Sequence, residues 1–199
     1  SFLGLAVTGM CLKFSYLPWA RTLAGAFGGF ESAGFVHRLC AIVTFAYFFI
    51  HLWDVSKKKR ASGKSWLLYI FGRDSMVPNR GDLEDFTATF KWFVGAGPRP
   101  AYGRWTYWEK FDYFAVFWGI AIIGTTGLML WFPETFTYLL PGWFINVATI
   151  IHSDEALLAT GFIFTIHFFN THFRPDRFPM DTVIFTGRVP VEELKEDRP

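Results

Sequence analysis

The sequence predicts an all-α fold whose helices cross a lipid bilayer. Hydrophobic residues make up 52% of the 199 residues, aromatic residues make up 21%, and 25 residues are Phe. A water-soluble domain of this length carries far fewer large apolar side chains. Several apolar stretches also approach or exceed the roughly 20 residues that a helix needs to cross a hydrocarbon core. Composition and segment length together indicate an integral membrane protein.

Four apolar segments account for the predicted membrane helices. Residues 1–14 are apolar but too few to cross a bilayer, so they predict the second half of a first helix that is truncated in this chain. Full spans are predicted at about 33–53, 111–132 and 144–170. Residues 1–170 are therefore predicted to form one transmembrane domain.

The connections between these segments predict shorter helices. The Gly-rich stretch before the second span favours a surface helix that begins near Pro18, because Pro suits the first helical position. The polar connection 54–110 is too long for a structureless loop. Within it, residues 65–71 and 83–94 are amphipathic and are predicted to lie at the membrane interface.

Basic residues predict the orientation in the membrane. Lys57–Arg60 follow the second span, and Arg174 and Arg177 follow the last, whereas residues 133–143 contain no Lys or Arg. The positive-inside rule then places the connection 54–110 and the tail 171–199 in the cytoplasm. The net charge of +2 is too small to indicate a nucleic-acid partner. Cys11 and Cys40 form no metal or covalent haem motif and are interpreted as buried thiols.

Four of the five histidines lie in the apolar spans in two pairs. His37 and His51 are 14 residues apart, and His152 and His167 are 15 apart. At 100° per residue each pair shares a broad helix face, and its members are separated by roughly 21–22 Å along the axis. Ionisable groups in a membrane are costly and usually functional. The pattern predicts two stacked b-type haems, and nearby small residues would allow close approach: Gly119, Gly124, Gly127 and Gly161.

The alternating direction of the spans predicts how the histidines pair. The second and fourth spans run parallel, so His37 should meet His152 near the outer face, and His51 should meet His167 near the inner face. Two imidazoles per iron leave no open coordination position, which favours electron transfer over oxygen chemistry. The alternative is a redox-inactive membrane anchor whose histidines are structural.

Several motifs also resemble a known family. They are LAVTG at 5–9, the His37-Arg38 pair, GRWTYWEK at 103–110, and the two histidines of the last span. In these the chain resembles the membrane di-haem cytochrome b subunits of formate dehydrogenase and nickel hydrogenase, including relatives that work beside multihaem cytochromes c. The resemblance implies a four-helix bundle in the bacterial inner membrane, with His37 and His152 as outer ligands and His167 as an inner ligand.

The same resemblance implies the partners. The chain would be the electron-transfer subunit of a quinone-linked oxidoreductase complex, and not a complete enzyme. It would exchange electrons with menaquinone or ubiquinone and with a periplasmic redox subunit, either a multihaem cytochrome c or an iron–sulfur protein. In the formate dehydrogenase branch the second inner ligand comes from the start of the first helix. For this chain the partner of His167 is therefore either His51 or a His upstream of Ser1.

Further residues are candidates for binding and proton transfer. Haem propionates would pair with Arg38, Arg21 or Lys13. Thr106 stands where the formate dehydrogenase branch has an Asn that contacts quinone, and an inner quinone site is predicted around Arg104, Trp105, Thr106, Tyr107, Lys110, Asn170 and His172. The competing placement is an outer site, where Asp154 or Glu155 would accept protons.

Overall fold

The computed structural model describes residues 1–72, 75–173, 175, 178–189 and 191. About 75% of the described residues are helical, and no strand occurs among them. The all-α prediction is therefore confirmed. The helices, in chain order, are α1 Phe2–Lys13, α2 Pro18–Ala26, α3 Phe30–Ala61, α4 Trp66–Phe71, α5 Arg80–Phe93, α6 Tyr107–Gly119, α7 Thr125–Trp131, α8 Pro133–Thr137, α9 Trp143–Phe162 and α10 Val183–Thr186.

Three π-helical turns, in which the hydrogen bonds skip one residue further than in an α-helix, interrupt or extend these helices. They are Ile120–Gly124, Ile163–His167 and Phe169–Phe173. The first joins α6 to α7 without a break, and the other two extend α9 towards its carboxyl end. The segments Tyr107–Trp131 and Trp143–Phe173 are therefore each a continuous helical rod.

Within the described ranges, three helical segments are long and apolar enough to cross a membrane: Phe30–Ala61, Tyr107–Trp131 and Trp143–Phe173. Their large apolar side chains are mostly exposed; Phe35 is 66% exposed, Ile50 67% and Leu158 66%. Such a surface would be unfavourable in water, and hydrocarbon is the solvent that suits it. The three predicted spans are confirmed as helices, and α1 is apolar but shorter.

The short helices also agree with the sequence. Helix α2 begins at Pro18, and α4 and α5 occupy the two segments predicted in the long connection. One boundary differs, because α3 continues to Ala61 through Lys57–Arg60, where the sequence pattern placed the end of the span near residue 53. An ion pair of 2.6 Å from Lys58 to Asp54, one turn earlier, supports that extension.

The chain divides into two compact units. The first contains residues Ser1–Lys58 and Trp118–Thr165. Within it, close approaches at Gly4 to Cys40 and at Gly9 to His37 show that α1 and α3 run antiparallel. The close approaches of Gly124 to Phe45 and of Arg38 to Trp131 show that α3 and α7 also run antiparallel. Helix α1 also runs antiparallel to the rod that contains α9, because Phe2 contacts Phe164 and Lys13 forms an ion pair with Asp154. Since α1 is antiparallel to both α3 and α9, these two helices run parallel to each other.

The second unit contains residues Lys59–Phe117 and Ile166–Pro199. In this unit, an ion pair holds α5 against the amino-terminal turn of α6. Lys110 and Asp82 form an ion pair of 2.7 Å, with side chains 5% and 10% exposed. Asp82 also accepts from the backbone N–H of Asn79 and completes a capping box at the start of α5. Burial, and secondarily the neighbouring Asp82 carboxylate, raise the pKa of Asp85.

Parts of the sequence prediction lie outside the described residues. Arg174 and Arg177, which support the cytoplasmic placement of the carboxyl-terminal tail, are among them. Of the tail 171–199, the structure describes the end of the last π-helical turn, residues 175 and 178–189, and residue 191. The short helix α10 lies in this part.

We expect the buried ion pair to be a major determinant of the stability of the second unit. Lys110→Ala leaves the Asp82 carboxylate buried and unpaired, which costs on the order of 3–5 kcal/mol. Thermal unfolding of the purified protein in detergent should show a marked loss of stability. The control is Lys58→Ala, which breaks an ion pair whose side chains are 68% and 51% exposed and should change the stability very little. Equal effects of the two variants would contradict this assignment.

Candidate functional site

The structure brings two of the predicted ligands, His37 and His152, together in the first unit. Their ring centroids are 6.2 Å apart and the ring planes are inclined by 79°. His37 lies in α3 and His152 in α9, the two parallel helices. Both side chains are half-buried. The pairing thus unites residues 115 positions apart in the sequence.

The Nδ1 atom of His37 is held by α1. It lies 2.9 Å from Oγ1 of Thr8, and Thr8 is completely buried. The Thr8 hydroxyl donates its proton to the carbonyl of Gly4 at 2.5 Å. Its oxygen is therefore left as an acceptor for the imidazole. Consequently Nδ1 of His37 carries the proton, and the lone pair lies on Nε2.

The Nδ1 atom of His152 is held in the same way by the helix that contains α7. It lies 2.9 Å from the carbonyl oxygen of Ile123, in the π-helical turn, and 3.4 Å from Oγ1 of Thr126. A carbonyl can only accept, so Nδ1 is again protonated and Nε2 again has the lone pair. Thr126 is 9% exposed and donates its own proton to Ile122. Both imidazoles are thus set in the tautomer that ligates through Nε2.

A glycine follows each of the two threonines and makes room for the ring. A Cβ atom on Gly9 would lie 3.3 Å from Cε1 of His37, and one on Gly127 would lie 2.9 Å from Cε1 of His152. Sequence analysis selected Gly127 as a close-approach residue, and the structure agrees. It also places Gly124 against Phe45, whereas Gly119 and Gly161 have open space around the Cβ position.

The two supports have the same sequence pattern. Leu5, Thr8 and Gly9 in α1 repeat at identical spacing as Ile123, Thr126 and Gly127. In both sets the threonine hydroxyl oxygen also lies within hydrogen-bond distance of the carbonyl three residues earlier, at 3.4 Å from Leu5 and 3.2 Å from Ile123. We call each set a threonine–glycine cradle. Residues four apart share a helix face, so each cradle offers a carbonyl, a hydroxyl and a space side by side.

The separation of the two rings suits a metal between them. An imidazole–metal bond of about 2.0–2.1 Å, with about 1.1–1.2 Å from the ring nitrogen to the ring centre, predicts centroids about 6.2–6.6 Å apart across one metal ion. The observed 6.2 Å falls within this range. No group of three or more His, Cys, Asp or Glu that could hold a bare metal ion occurs in the described part of the chain. Two imidazoles are sufficient for haem, because the porphyrin supplies the remaining ligands.

The other predicted ligands belong to different units. His51 lies in the first unit and His167 in the second, so each is described within its own surroundings. The Nδ1 atom of His167 lies 2.9 Å from Oδ2 of Asp112, a residue that sequence analysis missed. The sequence did contain a signal for Asp112, because a carboxylate at the start of an apolar span is costly unless it has a partner.

The candidate propionate ligands have protein partners in the first unit. Arg38 lies over the ring of Trp131, with 5.9 Å from Cζ to the ring centroid, at the edge of an apolar groove. Lys13 donates to Asp154 at 2.5 Å and to Ser153 at 3.0 Å. Arg21 donates to the backbone carbonyl of Ser15. Of the three, Lys13 is the one with a carboxylate partner among the described residues.

The candidate proton acceptors likewise have partners. Asp154 is the ion-pair partner of Lys13. Glu155 accepts from the indole N–H of Trp118 at 2.7 Å. These contacts join α9 to α1 and to α6, which gives both carboxylates a role in helix packing.

In the second unit, several residues of the predicted inner quinone site have structural roles. Thr106 and Glu109 exchange hydrogen bonds at the start of α6, and Lys110 is buried in its ion pair. Asn170 donates to the carbonyl of Ile166 in its own helix. Aromatic contacts hold other members, with Arg104 over Trp105 and Tyr107 against Phe86. The ring of His172 packs against Phe168, and its buried Nδ1 has no hydrogen-bond partner in the described part of the chain.

Comparison of the chain with protein-family models, with curated proteins and with solved structures found no match. The site is therefore defined by its own geometry. That geometry describes a pair of imidazoles in an apolar helical unit, each held in one tautomer and separated by the width of one ligated metal.

Gly127→Ala should disturb the site because its Cβ would lie 2.9 Å from the His152 ring. Overpacking of this kind costs about 1–3 kcal/mol and displaces the imidazole. We expect a lower melting temperature of the purified protein in detergent, and a smaller decrease from Gly9→Ala. Gly161→Ala is the matched control, because open space surrounds its Cβ position. An unchanged melting temperature in Gly127→Ala would show that the close approach of Gly127 to the His152 ring is unimportant for the packing of the site.

Proposed function

We propose that the chain is a membrane-embedded electron-transfer subunit that holds a b-type haem between His37 and His152. The observation that carries this proposal is the pair of imidazoles 6.2 Å apart, each with Nδ1 occupied by its own cradle. Bound haem supplies reversible one-electron chemistry at iron. With His37 and His152 both holding the iron, the site would favour electron transfer over direct chemistry of oxygen or substrate at the metal.

The residues of the chain have three tasks in this function. Thr8 and the Ile123 carbonyl keep the protons on Nδ1, so that Nε2 remains a ligand in both oxidation states. Gly9 and Gly127 make room for the rings, and the packing of α1, α3, α7 and α9 fixes the separation of the rings. The lipid-facing apolar side chains keep water away from the site. A rigid and dry site of this kind favours electron transfer, because little has to reorganise when the charge changes.

A second haem is proposed on His167, with either His51 or a His upstream of Ser1 as its partner. Two haems separated along the helix axes by roughly 20 Å would carry electrons across much of the bilayer. The histidine spacing and the resemblance to di-haem cytochrome b subunits support this part of the proposal. So does the Asp112 contact, which leaves Nε2 of His167 available for a metal.

The setting that we propose follows from the sequence. The chain would lie in a bacterial inner membrane with the connection 54–110 in the cytoplasm. It would exchange electrons with menaquinone or ubiquinone and with a periplasmic redox subunit, a multihaem cytochrome c or an iron–sulfur protein. Of the inner quinone residues, His172 has the strongest support, because its buried Nδ1 is without a partner in the described residues and could donate to a quinone oxygen.

Absorption spectroscopy separates this proposal from a redox-inactive anchor. His37→Ala and His152→Ala should each reduce the haem content from two per chain to one, since each removes a ligand of the same centre. His172→Ala, which removes no proposed ligand, is the control and should keep both haems. Measurement requires the pyridine haemochrome content and a redox titration of each variant. Two fully occupied centres after either ligand substitution would refute the assignment.

A separate substitution identifies the partner of His167. His51→Ala should remove the second centre and leave the His37–His152 centre intact if His51 is a ligand. The measurement is again haem stoichiometry, together with the two midpoint potentials. If both potentials survive, His51 is not a ligand and has a packing or hydrogen-bonding role.

A further inference from the structure

Asp112 and His167 form a polar pair that the His37–His152 site does not use. Oδ2 of Asp112 lies 2.9 Å from Nδ1 of His167, and the side chains are 18% and 34% exposed, respectively. Both residues belong to the second unit, Asp112 in α6 and His167 in a π-helical turn that extends α9. Both helical segments are long and apolar enough to cross a membrane, where an ionisable group needs a partner.

Among the described residues, the contact with His167 is the one hydrogen bond that the Asp112 side chain makes. The other oxygen, Oδ1, is buried and has no hydrogen-bond partner among the described residues. An ionised carboxylate only accepts hydrogen bonds, so the contact places the proton of His167 on Nδ1. The lone pair then lies on Nε2, as it does in His37 and His152. One tautomer is therefore common to all three histidines, but the partner differs.

The difference in the partner has a chemical consequence. His37 faces a neutral hydroxyl and His152 a neutral carbonyl, whereas His167 faces a carboxylate. A carboxylate behind a ligating imidazole draws the Nδ1 proton towards itself and makes the ring a more basic, more electron-rich ligand. Such a ligand stabilises ferric iron over ferrous iron. It therefore lowers the midpoint potential of the metal that it binds.

We propose that Asp112 is a positioning residue that fixes His167 as an electron-rich axial ligand and so makes its haem the lower-potential centre of the two. This inference rests on the proposed function. It does not depend on which residue supplies the opposite ligand, because Asp112 acts through His167 alone. It gives the two centres different potentials from different hydrogen-bond partners.

The test is a redox titration of Asp112→Asn in the full-length purified protein. The amide is neutral, so the potential of one haem should rise while the other stays constant. We expect the ferrous-to-ferric ratio of the affected haem, at fixed ambient potential, to increase about tenfold, which corresponds to about 59 mV for a one-electron couple. The low-spin ferric electron paramagnetic resonance signal of the same centre should shift as well.

Two further variants complete the design. Asp112→Glu keeps the charge and should restore a lower potential than Asp112→Asn. Asp54→Asn, which neutralises an exposed carboxylate of α3 paired with Lys58, is the matched control and should leave both potentials unchanged. If Asp112→Asn loses its haem, the test relies on the redox titration of Asp112→Glu. Retention of the lower-potential centre in Asp112→Glu supports the proposal.

Other results would overturn the inference. Two haems with unchanged potentials and spectra in Asp112→Asn would show that Asp112 only packs between helices. Loss of the haem in both Asp112→Asn and Asp112→Glu would also overturn the inference. Wild-type protein that binds no haem at all would instead refute the proposed function, so the two failures are distinguishable.

Discussion

Hydrogen bonding of buried polar groups is the constraint on which the first unit depends. Few side chains are fully buried, and the buried polar ones have specific tasks. Thr8 and Thr126 hold the imidazoles of His37 and His152, and these bonds tie α1 to α3 and α7 to α9. In a bilayer no water competes for these groups, so each unsatisfied donor would be costly. The orientation of both rings thus follows from satisfying hydrogen bonds in an apolar surrounding.

The second unit also depends on the pairing of buried polar groups, and here the pairs include ionised side chains. Lys110 and Asp82 are the other buried polar residues in the part of the chain that the structure describes. Their ion pair holds the amphipathic helix α5 against the amino-terminal turn of a membrane helix. Asp112 and His167 form a second pair further along that helix. Each member of these two pairs has its partner on a different helix. Polar contacts therefore determine which helices meet, while the apolar side chains face outwards.

Much of the fold was predictable from the sequence, and much of the site was not. Hydropathy and length predict the three spans, and the Pro18 signal predicts α2, because these features are local. The extension of α3 to Ala61 was missed, since Lys57–Arg60 were interpreted as a membrane boundary although they remain helical. The buried role of Lys110 and the partner of His167 could not be derived, because they depend on how helices far apart in sequence are rotated. The Thr–Gly repeat was visible, but without contacts nothing connected it to the histidines.

The repeated cradle has a consequence for the order of biogenesis. Each half of the site is a separate helical hairpin with its own ring and its own support, α1 with α3 and α7 with α9. The first hairpin is complete once residue 58 has left the ribosome, more than 60 residues before the second cradle begins at Ile123. Its imidazole can therefore be oriented in the membrane before the opposite ring exists. The second hairpin then brings its own supported ring to a surface that is already formed.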